Sequence, residues 1–157
     1  MVASAQTDEQ KAKYQNFAGA MGIWYYDWAP YELTTEDGYT ITLMNVTKKH
    51  SDWKVKAKKN PVLVQPIPGL AHDAFFQIFM SIVPADIPPA LKLLDAGHDL
   101  WLLYARGSEY SSHATYSNEE PEFWDFSFAE PGEIDLKAAL DFVYKKTQKK
   151  TSIFGTQ

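Results

Sequence analysis

No cysteine occurs among the 157 residues, so disulfide staples, thiolate metal sites and a cysteine nucleophile are all excluded. Arginine is nearly as scarce: Arg106 stands alone among 15 basic residues, and the bidentate phosphate and carboxylate clamps that arginine forms are correspondingly few. A formal net charge of −5 and a sequence pI near 5.3 give no electrostatic attraction to nucleic acid or to an anionic membrane surface. No apolar run approaches the ~20 residues of a membrane-spanning helix, because proline, aspartate or glutamine interrupts the longer ones. The chain therefore reads as neither a nucleic-acid binder nor an integral membrane protein. Ala3-Ser4-Ala5 has the A-x-A form of a signal-cleavage site, but no cationic and apolar segments precede it. A trimmed signal and a chance match both stay open.

What the chain does have is a core. With 45% hydrophobic and 15% aromatic residues against 22% charged, it can offset the conformational entropy lost on folding, as one packed domain. Residues 1–20 are small and polar and read as a lead-in, a short helix or an extended arm on a body spanning 21–157. Two lysine-rich stretches, from Lys48 to Lys59 and from Lys145 to Lys150, read as a solvated loop and a helix end.

Local patterns order the rest. Residues 31–35 and 39–43 alternate as two strands joined by Glu36-Asp37-Gly38, an Asp-Gly hairpin signal. Pro61-Val62-Leu63-Val64-Gln65 is a short apolar run suited to burial on both faces of a parallel sheet, followed by a sharp turn through Pro66-Ile67-Pro68-Gly69-Leu70. Pro88 and Pro89 open a helix carrying Ala90, Leu91, Leu93 and Leu94, with Gly97 just past its end. Asp99 to Tyr104 is a second buried strand. Aromatic residues crowd the segment 119–128 too closely for one helical stripe, which predicts irregular packing against the sheet rather than a lipid groove. Ile134, Leu136, Ala139, Leu140, Val143 and Tyr144 form a helix face over 133–146, and Ser152 to Gly155 begins another strand. Strand, helix, strand predicts a mostly parallel α/β sheet with an antiparallel hairpin at its start and flanking helices.

Two stretches carry a family resemblance. YELTTEDGYTITL, residues 31–43, resembles the E-x-x-T-x-D-G-Y-x-L segment near the start of the acid lipases, the gastric and lysosomal lipase family of the α/β-hydrolases. Residues 94–128 resemble that family's D-A-G-Y-D-V-W-L-x-N-x-R-G segment with the following Y-S and E-F-W-x-F-S-F-x-E, and Asp135-Leu136 with Ala139 to Lys146 resembles its D-L-P-A-x-I-D-F-I helix. The likeness runs from about Met21 to Phe154. It implies the first half of an α/β-hydrolase fold, with Pro61–Gln65 as the third strand, Asp99–Tyr104 as the fourth, and Ser152–Gly155 opening the fifth. Active members hydrolyse triacylglycerol or sterol esters through a Ser-His-Asp triad. The resemblance also implies a secreted or lysosomal protein, and no cofactor.

Departures from that pattern fall on the chemistry. The family's His-Gly-Leu, which contributes a backbone N–H to the oxyanion hole, is Pro68-Gly69-Leu70, with Pro66-Ile67 apparently inserted; Leu70 is the oxyanion-hole candidate. A G-x-S-x-G elbow is replaced by Gly155-Thr156-Gln157, which puts glutamine at the nucleophile position. Of His50, His72, His98 and His113, only His72 follows the glycine turn and becomes a site-mouth candidate. Asp95, Asp99 and Asp125 read as capping and turn residues, Ser108, Ser111 and Ser112 as loop residues, and Arg106-Gly107 as a turn held by hydrogen bonds to carbonyls. No acid or histidine spacing suits a metal.

The reading therefore expects a lipase-like segment without a nucleophile, acting as a catalytically inactive structural or interaction subunit. Another chain would cover the open sheet edge beyond Gly155. The alternative is the N-terminal fragment of an active lipid-ester hydrolase whose triad lies in a separate or missing C-terminal half.

Overall fold

The computed structural model describes residues 8–24, 26–48, 59–65 and 89–155. Five strands form one sheet in the order β1-β2-β4-β3-β6, with a two-residue β5 beside β2. These are β1 Tyr26–Thr34, β2 Tyr39–Lys48, β3 Pro61–Gln65, β4 Asp99–Tyr104, β5 Ser112–His113 and β6 Ser152–Gly155. β4, β3 and β6 run parallel, whereas β1, β2 and β4 alternate in direction. The described sheet is thus mixed. Its third strand lies between the fourth and β6, as the α/β-hydrolase resemblance implies.

The Asp37-Gly38 hairpin is present, and Gly38 takes the positive φ (93°) that such a turn demands. Its strands extend beyond the alternating residues: β1 begins at Tyr26 and includes Pro30, β2 ends at Lys48. Proline has no N–H to give a ladder, but β1 lies at the end of the strand order and tolerates it.

Alternation along the central strands divides the core in two. On one face Met44, Val46, Val62, Val64, Leu100, Leu102 and Tyr104 meet helices. Tyr14 comes from the turn between the helices Asp8–Lys13 and Gln15–Trp24, Phe17 and Met21 from the second of these, and Ala90, Leu91 and Leu94 from Pro89–Asp95. On the other face Ile41, Leu43, Leu63, Trp101, Leu103 and Ala105 meet Ala139 and Val143 of the Leu136–Thr147 helix. This double burial is why β3 and β4 read as continuous apolar runs. Tyr14 and Phe17 are each 1% exposed, so the Gln15–Trp24 helix and the turn before it are packed on the sheet.

Helix ends follow their local chemistry. After Pro89–Asp95, His98 N–H donates to the Leu93 carbonyl and Gly97 N–H to that of Leu94, with Gly97 at φ 94°, a Schellman stop at the expected glycine. The helix expected over 133–146 is Leu136–Thr147, preceded by a π-helical turn Pro131–Asp135. That turn draws the Asp135 carboxylate inward. Tyr144, expected on the apolar face, is 55% exposed.

Candidate functional site

The C-terminal ends of β4, β3 and β6 lie at one edge of the sheet, where open α/β folds place their sites. There Gln65 pairs with Gly155, the last of four residue pairs that begin with Val62 and Ser152. β3 and β6 therefore end side by side, at Gln65 and at Gly155. Leu70 and His72 follow the first; Thr156 and Gln157 follow the second. All four lie outside the described residues, so of the site residues expected from sequence only Gly155 has a described position.

One strand away the same sheet end holds a buried polar hub. The Arg106 side chain, 1% exposed, reaches Asp135, which is fully buried, and Asp37 in the hairpin turn. Its Nε lies 3.1 Å from each Asp135 oxygen, its Nη2 donates to Asp135 Oδ1 at 2.8 Å, and its Nη1 donates to Asp37 Oδ2 at 2.6 Å. The Arg106 backbone N–H adds a bond to Asp135 Oδ2 at 2.9 Å. These are carboxylates, so the expectation that Arg106 serves carbonyls is corrected. A buried guanidinium needs charge compensation, which neutral carbonyls do not give.

The hub's charge state follows from these contacts. Burial acts to raise the Asp37 carboxyl, but hydrogen bonds from Arg106 and Thr35 and the Arg106 charge outweigh it and hold Asp37 below its usual range. Burial acts to lower Arg106, and the bonds to Asp135 and Asp37 reverse this, so the guanidinium holds its proton more tightly than a free one. The Tyr39 ring lies 4.3 Å from the Arg106 guanidinium carbon, and burial raises the Tyr39 hydroxyl. Gly107 at φ 74° completes the turn. A Cβ there would stand 3.0 Å from the Phe126 ring and 3.2 Å from that of Trp124.

Other expected residues disperse. His98 Nδ1 meets the Asn60 carbonyl at 2.9 Å and His113 meets only backbone groups at its ring nitrogens; His50 lies outside the described residues. Ser111 Oγ donates to the Ser108 carbonyl, and Ser108 Oγ is buried without a partner. Asp125 closes the short turn Pro121–Trp124 through its N–H, as a turn residue should. Asp99 is not a cap. Its carboxylate accepts from Asn45 on β2 and from Trp101. Asp95 accepts from the Tyr26 hydroxyl, which burial and that carboxylate push up to about 12. Of the aromatic block, Phe123 packs at 2% exposed, whereas Trp124 and Phe128 are 49% and 79% exposed. Packing against the sheet holds for the first and not for the other two. Among the described residues no three metal-ligating side chains gather.

No protein-family profile matches the chain. Lipase member M of Mus musculus is 35% identical over 127 residues, 80% of this chain and 29% of that protein. The gastric triacylglycerol lipase of Homo sapiens is 33% identical over 136 residues, 86% of this chain and 33% of that protein. The chain thus spans about a third of the length of these curated relatives. In three dimensions a prolyl endopeptidase structure aligns with a TM-score of 0.51 at 19% identity, covering 83% of this chain and 17% of that one, a likeness of fold alone.

Proposed function

This chain is a segment of the acid lipase family of α/β-hydrolases, and from that premise we propose that it forms the scaffold side of a lipid-ester hydrolase and supplies none of its catalytic side chains. The observation that supports this is the β3–β6 pairing. It brings the ends of β3 and β6 together at Gln65 and Gly155, an arrangement that suits an oxyanion loop following the one and a nucleophile turn following the other. No G-x-S-x-G occurs in the 157 residues, and a hydrolase of this kind needs serine, histidine and carboxylate together. Taken alone, the chain is inactive.

Two arrangements make use of such a scaffold. In one, a C-terminal portion bearing the triad completes the sheet next to β6 and the whole acts on triacylglycerol or sterol esters. In the other, the scaffold serves as an interaction subunit whose partner covers β6, where Ile153 and Phe154 are 51% and 43% exposed. The test is hydrolysis of a short-chain p-nitrophenyl ester. The chain alone is expected to give no turnover, and turnover abolished by altering one of its own residues would overturn the proposal. Joining it to the C-terminal two-thirds of the human gastric lipase separates the arrangements. Restored turnover supports the first, and a folded but inactive hybrid supports the second.

A further inference from the structure

We propose that His113 is a proton-operated latch between the hairpin turn and the loop that follows β5. Three contacts define its ring. Nε2 lies 3.1 Å from the Asp37 carbonyl, and Nδ1 accepts from the backbone N–H of Thr115 at 3.1 Å and of Tyr116 at 3.2 Å. A carbonyl only accepts and an N–H only donates. The neutral ring therefore carries its proton on Nε2, and its Nδ1 lone pair fastens the turn at 114–116. The latch sits where two elements meet: His113 pairs with Tyr39 in the ladder, and Ala114 N–H donates to the Gly38 carbonyl at 2.9 Å.

A second proton can go only on Nδ1, where it sets a donor against two donors and leaves both amides without their acceptor. Other groups around the ring bear on the outcome. Tyr116 stacks on it at 4.8 Å and Tyr39 meets it edge-on at 4.6 Å, contacts that suit a cationic ring. Asp37 attracts an imidazolium, but its carboxylate is already engaged by the Arg106 cation. Asp125 and Asp135 add negative charge near Tyr39. None of these supplies an acceptor for the Thr115 and Tyr116 amides, so charging the ring frees the turn. The hub persists meanwhile, because hydrogen bonds from Arg106 and Thr35 hold Asp37 below the usual carboxylate range. The inference stands apart from the ester-hydrolase reading.

The test is made on the whole chain, 15N-labelled. Long-range 1H–15N correlations of His113 are expected to show the Nε2–H tautomer at neutral pH. The protection of the Thr115 and Tyr116 amides, taken relative to intrinsic exchange at each pH, is expected to fall by about ten-fold or more as the ring charges, while core amides of β2 and β4 keep theirs. His113→Gln should remove the pH step. Should that variant fail to fold, the tautomer and exchange in the unaltered chain still decide. An Nδ1–H tautomer, or a charged ring with both amides still protected, overturns the proposal.

Discussion

Two neighbouring regions at one end of the strands are finished in different ways. Beside β2 and β4, a single guanidinium joins the hairpin turn, the loop after β4 and the turn before the Leu136–Thr147 helix, through two carboxylates and one backbone N–H of the same chain. Beside β3, β6 is held by the ladder from Val62–Ser152 to Gln65–Gly155, while Ile153 and Phe154 turn half their surface to solvent. The first region is complete in itself and brittle. The second takes its place from backbone pairing and offers apolar surface to whatever covers it.

Breaking the hub is the largest perturbation this contrast predicts. Arg106→Leu leaves the buried Asp135 carboxylate unpaired, and about 3–5 kcal/mol of unfolding free energy should be lost, read as a fall in the denaturant midpoint. The double variant Arg106→Leu with Asp135→Leu should recover a large part of it, because the buried orphan charge is gone. Gly107→Ala comes next. Its positive φ and the 3.0 Å approach to Phe126 should cost about 1–3 kcal/mol in the same measurement.

Acid sharpens the comparison further. The Asp37 carboxyl is lowered from 3.8, so the folded state holds fewer protons there than the unfolded chain. Its stabilisation is fully present above that unfolded value and is lost as the pH falls through the lower folded one. Asp37→Asn should flatten the acid limb of the stability profile below about pH 4; an unchanged limb would detach Asp37 from the hub. The smallest effect belongs to β6. Phe154→Ser is expected to change the stability of the isolated chain by about 0.5 kcal/mol or less, and to weaken association severalfold in an assembly that covers the strand.

Much of this division was visible in the order of residues, and the reasons are local. Asp37-Gly38 between alternating strands, the apolar run 61–65, Gly97 after the leucine-rich helix and the spacing of Leu136, Ala139 and Val143 each state their structure within a few residues. β1 begins earlier than its alternation suggests because Pro30 breaks the pattern and a terminal strand accepts it. The hub could not be read this way. Arg106 finds Asp37 and Asp135 at separations of 69 and 29 residues, and only the fold joins them. Its scarcity as the chain's sole arginine predicts few bidentate clamps, and Arg106-Gly107 reads as a turn held by carbonyls, neither of which points to a buried ion network. For the candidate site, the strand 152–155 pairs where the resemblance implies and ends with Gly155 beside Gln65, whereas Leu70, His72, Thr156 and Gln157 lie outside the described residues.

The central claim is that residues 152–155 run parallel beside β3 and bring Gly155 to Gln65. Interstrand NOEs in the labelled chain test it most directly. The account predicts contacts linking Val62 with Ser152, Leu63 with Ile153, and Val64 with Phe154. Contacts placing 152–155 against another strand, or shifted by one residue along β3, would contradict it.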